Sequence, residues 1–468
     1  MSGPSREPLP AAPPADGGTP PTGGTGGRSP GRRREQRGWY FYDWANSAFY
    51  TTVVTVFFGP YLSTLAKNAA DAQGFVHPFG LDVRAKAVFP FAVAISVVVQ
   101  VVLLPATGAI IDHTGRKRGT LAVFAYIGAF STIGLFFAGG GHYLLGASLF
   151  IVANLALGCS IVAYHSFLPD VADPDERDAV SSRGWAIGYL GGGLLLALNL
   201  VLYLLHDTFG LSQGMAVRID LASAGVWWAA FTLIPLSRLR DRRRRSPGES
   251  AADTVQAGFA QLRSTLRDLR ARPVTLTFLI AFLIYNDGVQ TVITLSATYA
   301  TEELRLGQSV VIGAVLLVQF VAFGGALLLG RLAERYGAKR VVLVSLVAWT
   351  LVVLASYTLQ AGSAVQFIAL AAVIGTVLGG TQALSRSLFS HLIPRERTAE
   401  YFGFYEISDK GTSWLGPFVF ALALQITDSY RSAIISLVVF FVIGFGLLLT
   451  VDMPRGIRAA GNTLPRRV

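Results

Sequence analysis

From residue 39 to residue 452 the chain is a succession of apolar windows, each close to the length of a membrane crossing. A helix needs about 20 mostly apolar residues to cross the hydrocarbon. Windows such as Val88–Ile111 and Ser432–Val451 meet that need without a single charged residue. Hydropathy divides the sequence into twelve spans, near 39–65, 87–111, 119–139, 144–167, 182–205, 219–237, 274–299, 309–332, 340–360, 364–391, 401–426 and 431–452. Only 14% of residues are charged, against about 25% in a globular domain. The fold class that follows is an all-α polytopic membrane protein embedded in a lipid bilayer.

The few charges orient those spans. One set of connections carries Arg32–Arg34 and Arg37, then Arg116, Lys117 and Arg118, then Arg238, Arg240 and Arg242–Arg245, then Arg331, Arg335, Lys339 and Arg340, and finally Arg395 and Arg397. The alternate set holds Lys67, Arg84 and Lys86, then Arg218, Arg305 and Arg431 singly. Basic loops stay on the cytoplasmic side, which puts both termini and the long middle loop there. The net charge of +11 is thus spent on topology, and no nucleic-acid partner is expected. Residues 1–37 are Pro/Gly-rich and basic without an apolar core, so they read as a disordered tail, not a cleavable signal. The remaining organisation is a first half at 38–237, a linker at 238–273, a second half at 274–452 and a tail at 453–468. In the linker, Val255, Phe259, Leu262, Leu266 and Leu269 form one apolar helical face interleaved with arginines. That face suits either the membrane surface or the underside of the bundle. Cys159 is the single cysteine, so no intrachain disulfide can form.

An internal repeat fixes the architecture. GAIIDHTGRKR at 108–118 matches GRLAERYGAKR at 330–340, with Gly108 on Gly330, Asp112 on Glu334, Gly115 on Gly337 and Arg118 on Arg340, at a constant offset of 222 (330 less 108). Both copies join the second and third spans of their halves on the same face. Two like-oriented six-helix halves are the arrangement of the major facilitator fold. Gly108 and Gly330 allow close helix approach, while Gly115 and Gly337 supply tight turns. The acid can pair with arginines or with a helix end. Together with Arg116 and Lys117, these residues are expected to form a cytoplasmic gate. The first copy resembles the loop motif of the major facilitator superfamily, with His113 where that pattern has a basic residue. The second has Glu334 for Asp and Ala338 for Arg, so its lock should be weaker.

Four further stretches narrow the resemblance: YDWANSAF (42–49), YNDGVQT (285–291), GGTQALSRSLFSHLIP (379–394) and FGFYEISDKGTSWLGP (402–417). Over residues 39–452 the chain resembles the autophagy-related vacuolar amino-acid effluxers and their bacterial relatives. That resemblance implies a secondary transporter of a small solute, with amino acids among the candidates and export as the direction. A bacterial member would sit in the plasma membrane.

Charged groups inside a span cost about 2.5–3.5 kcal/mol on insertion scales, so those present are expected to face an interior or aqueous path. Asn286 and Asp287 come near mid-span in span 7 with Gly288 after them, which suggests a local break in that helix. With Gln290 they are candidates for contact with substrate or a coupling proton, the alternative being a structural hydrogen bond. In span 11, Phe402, Glu406, Asp409 and Ser413 share a face, and Glu406 and Lys410 form an i, i+4 pair. Gln382 and Arg386 face them from span 10, giving an expected Arg386–Glu406/Asp409 network that serves either transport or helix orientation.

Asp43 and Asn46 lie shallow in span 1. Asp43 either stabilises the positive end of helix 1 or, together with Asn46, joins the cytoplasmic gate with Tyr164, His165 or Arg183. Gly184, Gly188 and Gly192 make a small-residue face on span 5, Gly416–Pro417 can bend span 11, and Trp39, Tyr40 and Tyr42 suit an interfacial aromatic belt. The six histidines are scattered with no HExxH and no cysteine cluster, so neither a metal, a cofactor nor an intramembrane enzyme is expected. A transporter-shaped sensor, or a carrier for drugs or sugars, is the alternative. The two halves supply each other's partner surface, so a monomer suffices.

Overall fold

The computed structural model describes residues 30–242, 265, 267–410 and 415–467. Among these, eleven helical runs are long and apolar enough to cross a membrane. In the first half they are α1 (Pro30–Asn68), α2 (Ala85–Thr114), α3 (Lys117–Phe137), α4 (Tyr143–Val171), α5 (Pro174–Leu204) and α6 (Gln213–Arg238). In the second half come α7 (Pro273–Glu303), α8 (Gln308–Tyr336), α9 (Ala338–Tyr357) and α10 (Ala364–His391). The crossing expected at 401–426 appears as α11 (Thr398–Lys410) and α12 (Leu415–Thr427), on either side of residues 411–414, which lie outside the described residues. Then come α13 (Tyr430–Thr450) and the short α14 (Met453–Ala459). A two-stranded antiparallel hairpin, β1 (Phe75–Val76) with β2 (Val83–Arg84), joins α1 to α2, with Phe75 opposite Arg84.

Each half has its own apolar core, one built between Trp39 and Leu239 and joined by Ala399 of the second half, the other between Leu269 and Ile457. On the outside, apolar side chains such as Val98, Phe130, Leu198 and Leu351 are exposed, as lipid-facing residues should be. Within the first core, α5 lies against α1 along its glycines. A Cβ at Gly188 would stand 2.9 Å from Ser47 Oγ, and one at Gly192 would stand 2.9 Å from the Thr51 methyl. The small-residue face read from the sequence is therefore where two backbones approach.

Three expectations are corrected. Helix α1 begins at Pro30, not near Trp39, because the arginine run continues the helix beyond the apolar window. Asp43 is therefore several turns inside, and the helix-capping reading of it fails. For the same reason Trp39, Tyr40 and Tyr42 are buried instead of forming an interfacial belt. Trp39 stacks on Tyr164 with ring centroids 4.5 Å apart and donates its indole N–H to the Tyr164 carbonyl. Finally, α7 runs unbroken through Asn286, Asp287 and Gly288. Gly288 serves packing instead: a Cβ there would stand 2.8 Å from the Phe440 Cβ of α13.

Most of the linker's apolar face (Val255, Phe259, Leu262, Leu266) falls outside the described residues. Its last member, Leu269, is buried in the second core, and Thr265 donates a hydrogen bond to Glu400. That end packs on the bundle.

Candidate functional site

The hydrogen bonds that join the two halves gather at the end carrying the basic loops. At their centre stands Arg386 of α10, fully buried. Its Nε donates to Ser181 Oγ and its Nη2 to the Ser181 carbonyl, both at 2.9 Å. Its Nη1 reaches Asp43 Oδ2 at 3.4 Å and His165 Nε2 at 3.1 Å. Asp43 Oδ2 also accepts from the Tyr164 hydroxyl at 2.5 Å. The guanidinium lies 4.7 Å above the Trp39 ring, with Trp185 and Tyr164 at 5.5 and 5.6 Å. A cation that must leave water is thus compensated by one carboxylate, three aromatic faces and two hydroxyl or carbonyl acceptors.

An arginine has only donors to offer. His165 Nε2 must therefore accept, which leaves the imidazole proton on Nδ1. Nδ1 lies 2.9 Å from Glu406 Oε1 of α11, close but off the hydrogen-bonding axis. The expected direct Arg386–Glu406/Asp409 network is corrected accordingly. Arg386 turns to the opposite half, and His165 stands between it and Glu406. Asp409 goes elsewhere: its Oδ1 accepts from Asn286 Nδ2 at 2.7 Å. Glu406 and Asp409, read as one face, are divided between two partners because α11 is wedged between α4 and α7.

Asp287 of α7 accepts from the Gly416 amide at 2.5 Å, and its other carboxylate oxygen has no hydrogen-bond partner among the described residues. Gly416 lies in the first turn of α12, where amides lack intrahelical acceptors. A carboxylate at that position satisfies one of them. Gln290 is half-buried. Gln382 Oε1 accepts from the Tyr189 hydroxyl of α5 at 2.7 Å, another bond across the halves. Asn46 donates to the Tyr42 carbonyl on its own helix and does not join the Asp43 cluster. Arg183 is exposed and is corrected out of the gate, because Gly184 presents that face of α5 to Asp43 and Arg386. The side chain of Lys410, and with it the expected Glu406–Lys410 pair, lies outside the described residues, as does Ser413.

The repeated loop motif borders this cluster. Asp112 is buried, and its two oxygens accept from the Ala399 and Glu400 amides at 3.1 and 2.8 Å. One half thereby caps the N-terminus of α11 in the other. Gly108 makes room, since a Cβ there would collide with the Ala399 carbonyl. Gly115 adopts φ 67° and Gly337 φ 91°, the left-handed values that favour glycine. Lys117 Nζ binds the Ser166 carbonyl at 2.8 Å and Asp170 at 2.7 Å, whereas Arg116 is exposed. In the second copy Gly330 packs on Ser182, and Glu334 is exposed.

A family model described as "Vacuole effluxer Atg22 like" matches residues 31–177 and 172–461. The chain belongs to that family. A relative described as the uncharacterized MFS-type transporter YxiO of Bacillus subtilis is 31% identical over 423 residues, covering 89% of this chain and 95% of its own. Autophagy-related protein 22 of Pyricularia oryzae is 25% identical over 531 residues, covering 91% and 77%. Among solved structures, a bacterial homologue of the iron transporter ferroportin in the outward-facing state superposes with TM-score 0.63 at 15% identity, covering 90% of this chain and 99% of that one. The E. coli fucose:proton symporter does so with TM-score 0.63 at 11% identity, covering 90% and 98%. This Atg22-like chain therefore has the major facilitator fold, and it is a multi-pass membrane transporter of that type.

Among the buried groups that sequence reading missed, two stand out. Arg177, at the start of α5, is fully buried and donates to the Ser390 carbonyl of α10 at 2.9 Å. Asp220, inside α6, is fully buried as well. The signal for Asp220 was plain, a lone acid in MAVRIDLASAG within an apolar window. Arg177 sits in the charged run DPDERD, where nothing distinguishes a buried arginine from a solvated one.

Proposed function

We propose that this chain is an ion-coupled secondary transporter that exports a small polar solute by alternating access, with amino acids as the first class to test. The observation that carries the reading is Arg386 of the second half, held between Asp43 and His165 of the first. Such contacts hold the basic end together, and opening that end requires them to part, so the cluster acts as a gate. Asp112 on the α11 amides is the second fastening on the same end. Asn286, Asp287 and Asp409, farther from the basic loops, are the groups proposed to meet solute or the coupling proton. Gln382, on the α5–α10 contact, would lie between gate and site. Export and a solute of this kind follow the family's description as effluxers. The basic loops support a plasma-membrane orientation with both termini cytoplasmic, and a monomer is the proposed working unit.

The test is counterflow in proteoliposomes, screening amino acids first, with and without an imposed pH gradient. The expected result is saturable exchange of at least one amino acid class, accelerated by the gradient. Loss of exchange for every solute class tried would overturn the reading. The gate has its own test in a double-mutant cycle on Asp43→Asn and Arg386→Gln. Removing one partner from a buried pair costs about 3–5 kcal/mol, so the double variant should be far less impaired than the sum of the singles. Additive losses would remove this pair from the gate.

A further inference from the structure

Asp220 is the one fully buried carboxylate among the described residues with neither oxygen in a hydrogen bond. Its surroundings are polar without answering it. Asn199 of α5 donates to Thr52 Oγ1 at 3.3 Å and to the Asp220 backbone carbonyl at 3.4 Å. The Ser223 hydroxyl donates to the Asp220 carbonyl at 2.7 Å and lies 3.0 Å from Asn199 Oδ1. Thr52 and Asn199 are themselves buried. The Asn199 amide and the Ser223 hydroxyl are thus committed to a backbone carbonyl or to another side chain, and no donor among the described residues hydrogen-bonds the carboxylate.

The ionisable groups on the neighbouring elements do not answer it either. They are Tyr42, Asp43 and Tyr50 on the α1 run, Tyr61 and Lys67 at its far end, Tyr126 on α3, Tyr189 and Tyr203 on α5, His206 just beyond it, and Arg218 on α6 itself. Arg218 turns over the Phe136 ring at 5.6 Å, Tyr61 donates to the Ala138 carbonyl, and Tyr203 accepts from Gln213. The other charges on these helices stand at their basic ends. An ionised carboxylate that is buried and unpaired is too costly to persist, so this one calls for a cation.

A second observation points the same way. The part of α1 facing the cluster, Phe49–Phe57, is π-helical and includes Thr52. Such wide turns are rare and concentrate at functional sites. In transporters, distorted backbone near buried oxygen ligands is where coupling ions sit.

We propose that Asp220, with Thr52 and Asn199, forms a binding site for a small monovalent cation, a proton or sodium, that the protein couples to its cycle. The coupling rests on the transport reading above, while the binding does not. The oxygens available are the carboxylate, a hydroxyl and an amide carbonyl, a hard set suited to either ion. The site lies wholly in the first half, apart from the Asp287 and Asp409 groups of the second.

The experiment is thermal unfolding of the purified full chain in detergent, with no solute present. One arm replaces choline chloride by sodium chloride at constant ionic strength, and the other varies pH between about 8.5 and 5.5, a range chosen to straddle neutrality. The expected result is a rise in the unfolding midpoint of roughly 2–4 °C in one arm, abolished by Asp220→Asn. Thr52→Val removes an oxygen that sodium needs and a proton does not, so it lowers the sodium response only. If Asp220→Asn does not fold, Asp220→Glu decides, since a longer stem must shift the concentration or pH at which the response occurs. A flat wild-type response in both arms, or a response that survives in Asp220→Asn and is unmoved in Asp220→Glu, overturns the proposal. Because no transport is measured, failure here leaves the carrier reading standing, and failure of counterflow leaves the site standing.

Discussion

The two copies of the loop motif start from matching sequence and end in different work. In the first, Asp112 is buried and grips two amides at the start of α11 in the opposite half. In the second, Glu334 is exposed, and Gly330 meets a side chain, Ser182, where Gly108 meets backbone. The lysines differ too. Lys117 ties α3 to α4 through Ser166 and Asp170, while Lys339 binds the Leu449 and Val451 carbonyls at the end of α13. A duplicated hinge has kept its turns, at Gly115 and Gly337, and divided its labour. In the first copy the acid fastens the halves together, whereas in the second only the glycine reaches across, onto the Ser182 side chain, and the lysine secures its own half.

The comparison breaks most sharply at the acids. Asp112 makes two hydrogen bonds as a charged acceptor, each worth about 1.5–3 kcal/mol. Asp112→Ala should therefore slow solute exchange by about tenfold or more, since about 1.4 kcal/mol is one decade. Glu334→Ala should change it by less than about twofold, as an exposed charge contributes little. A reporter checks the cause: Ala383→Cys in a Cys159→Ser background should be alkylated faster when Asp112 is lost. Equal effects of the two acids would dissolve the asymmetry.

The glycines give a smaller contrast. Gly108→Ala drives a methyl into the Ala399 backbone, which cannot turn aside, and should cost several-fold in exchange rate. Gly330→Ala meets Ser182 Cβ at 2.6 Å, also too close, but the obstacle is one small side chain. Ser182→Gly should rescue Gly330→Ala, and no substitution at 399 should rescue Gly108→Ala. Rates for the four variants, each referred to protein in the membrane, decide it.

This division of labour explains what could be read beforehand. Span count and the repeat were legible because they depend on composition and spacing, which the bilayer enforces. The weaker second copy was legible too, from Glu334 and Ala338. Partner choice was not. Arg386 and Glu406 are both buried near the basic end, yet which acid meets which base depends on how two halves dock, a fact with no local sequence signal. The unbroken α7 was misread because Asn-Asp-Gly weakens an isolated helix, whereas packing of Gly288 under Phe440 holds this one. Asp43 was misread as a helix cap because arginines were taken to end a helix that they extend.

The asymmetry continues at the far end of the bundle, where it can be sharpened by pH. The α1–α2 connection carries the hairpin, with His77 Nδ1 2.9 Å from Asp82 and Nε2 3.1 Å from Asp71. Hydrogen bonds to Asp82 and then Asp71 raise the His77 imidazole above its ordinary value, while the Phe75 amide above all holds Asp71 below the carboxylate range. The His77 contribution is complete below the unfolded imidazole value and is lost as pH rises through the raised one. That of Asp71 is complete above the unfolded carboxylate value and is lost as pH falls through the lowered one. The hairpin should therefore be tightest on the mildly acidic side of neutrality, between those limits. The α7–α8 connection in the second half is tied instead by Arg431 to Glu303 at 2.6 Å, a pair that contains no histidine. Amide exchange, corrected for its intrinsic pH dependence, should rise by less than about threefold at 75–84 as pH climbs from 6 to 9, since exposed pairs are weak. It should stay level at 303–307. His77→Gln should flatten the alkaline limb alone and leave the acid limb to Asp71. A pH response of equal size in both connections would show that the hairpin charges do not set it.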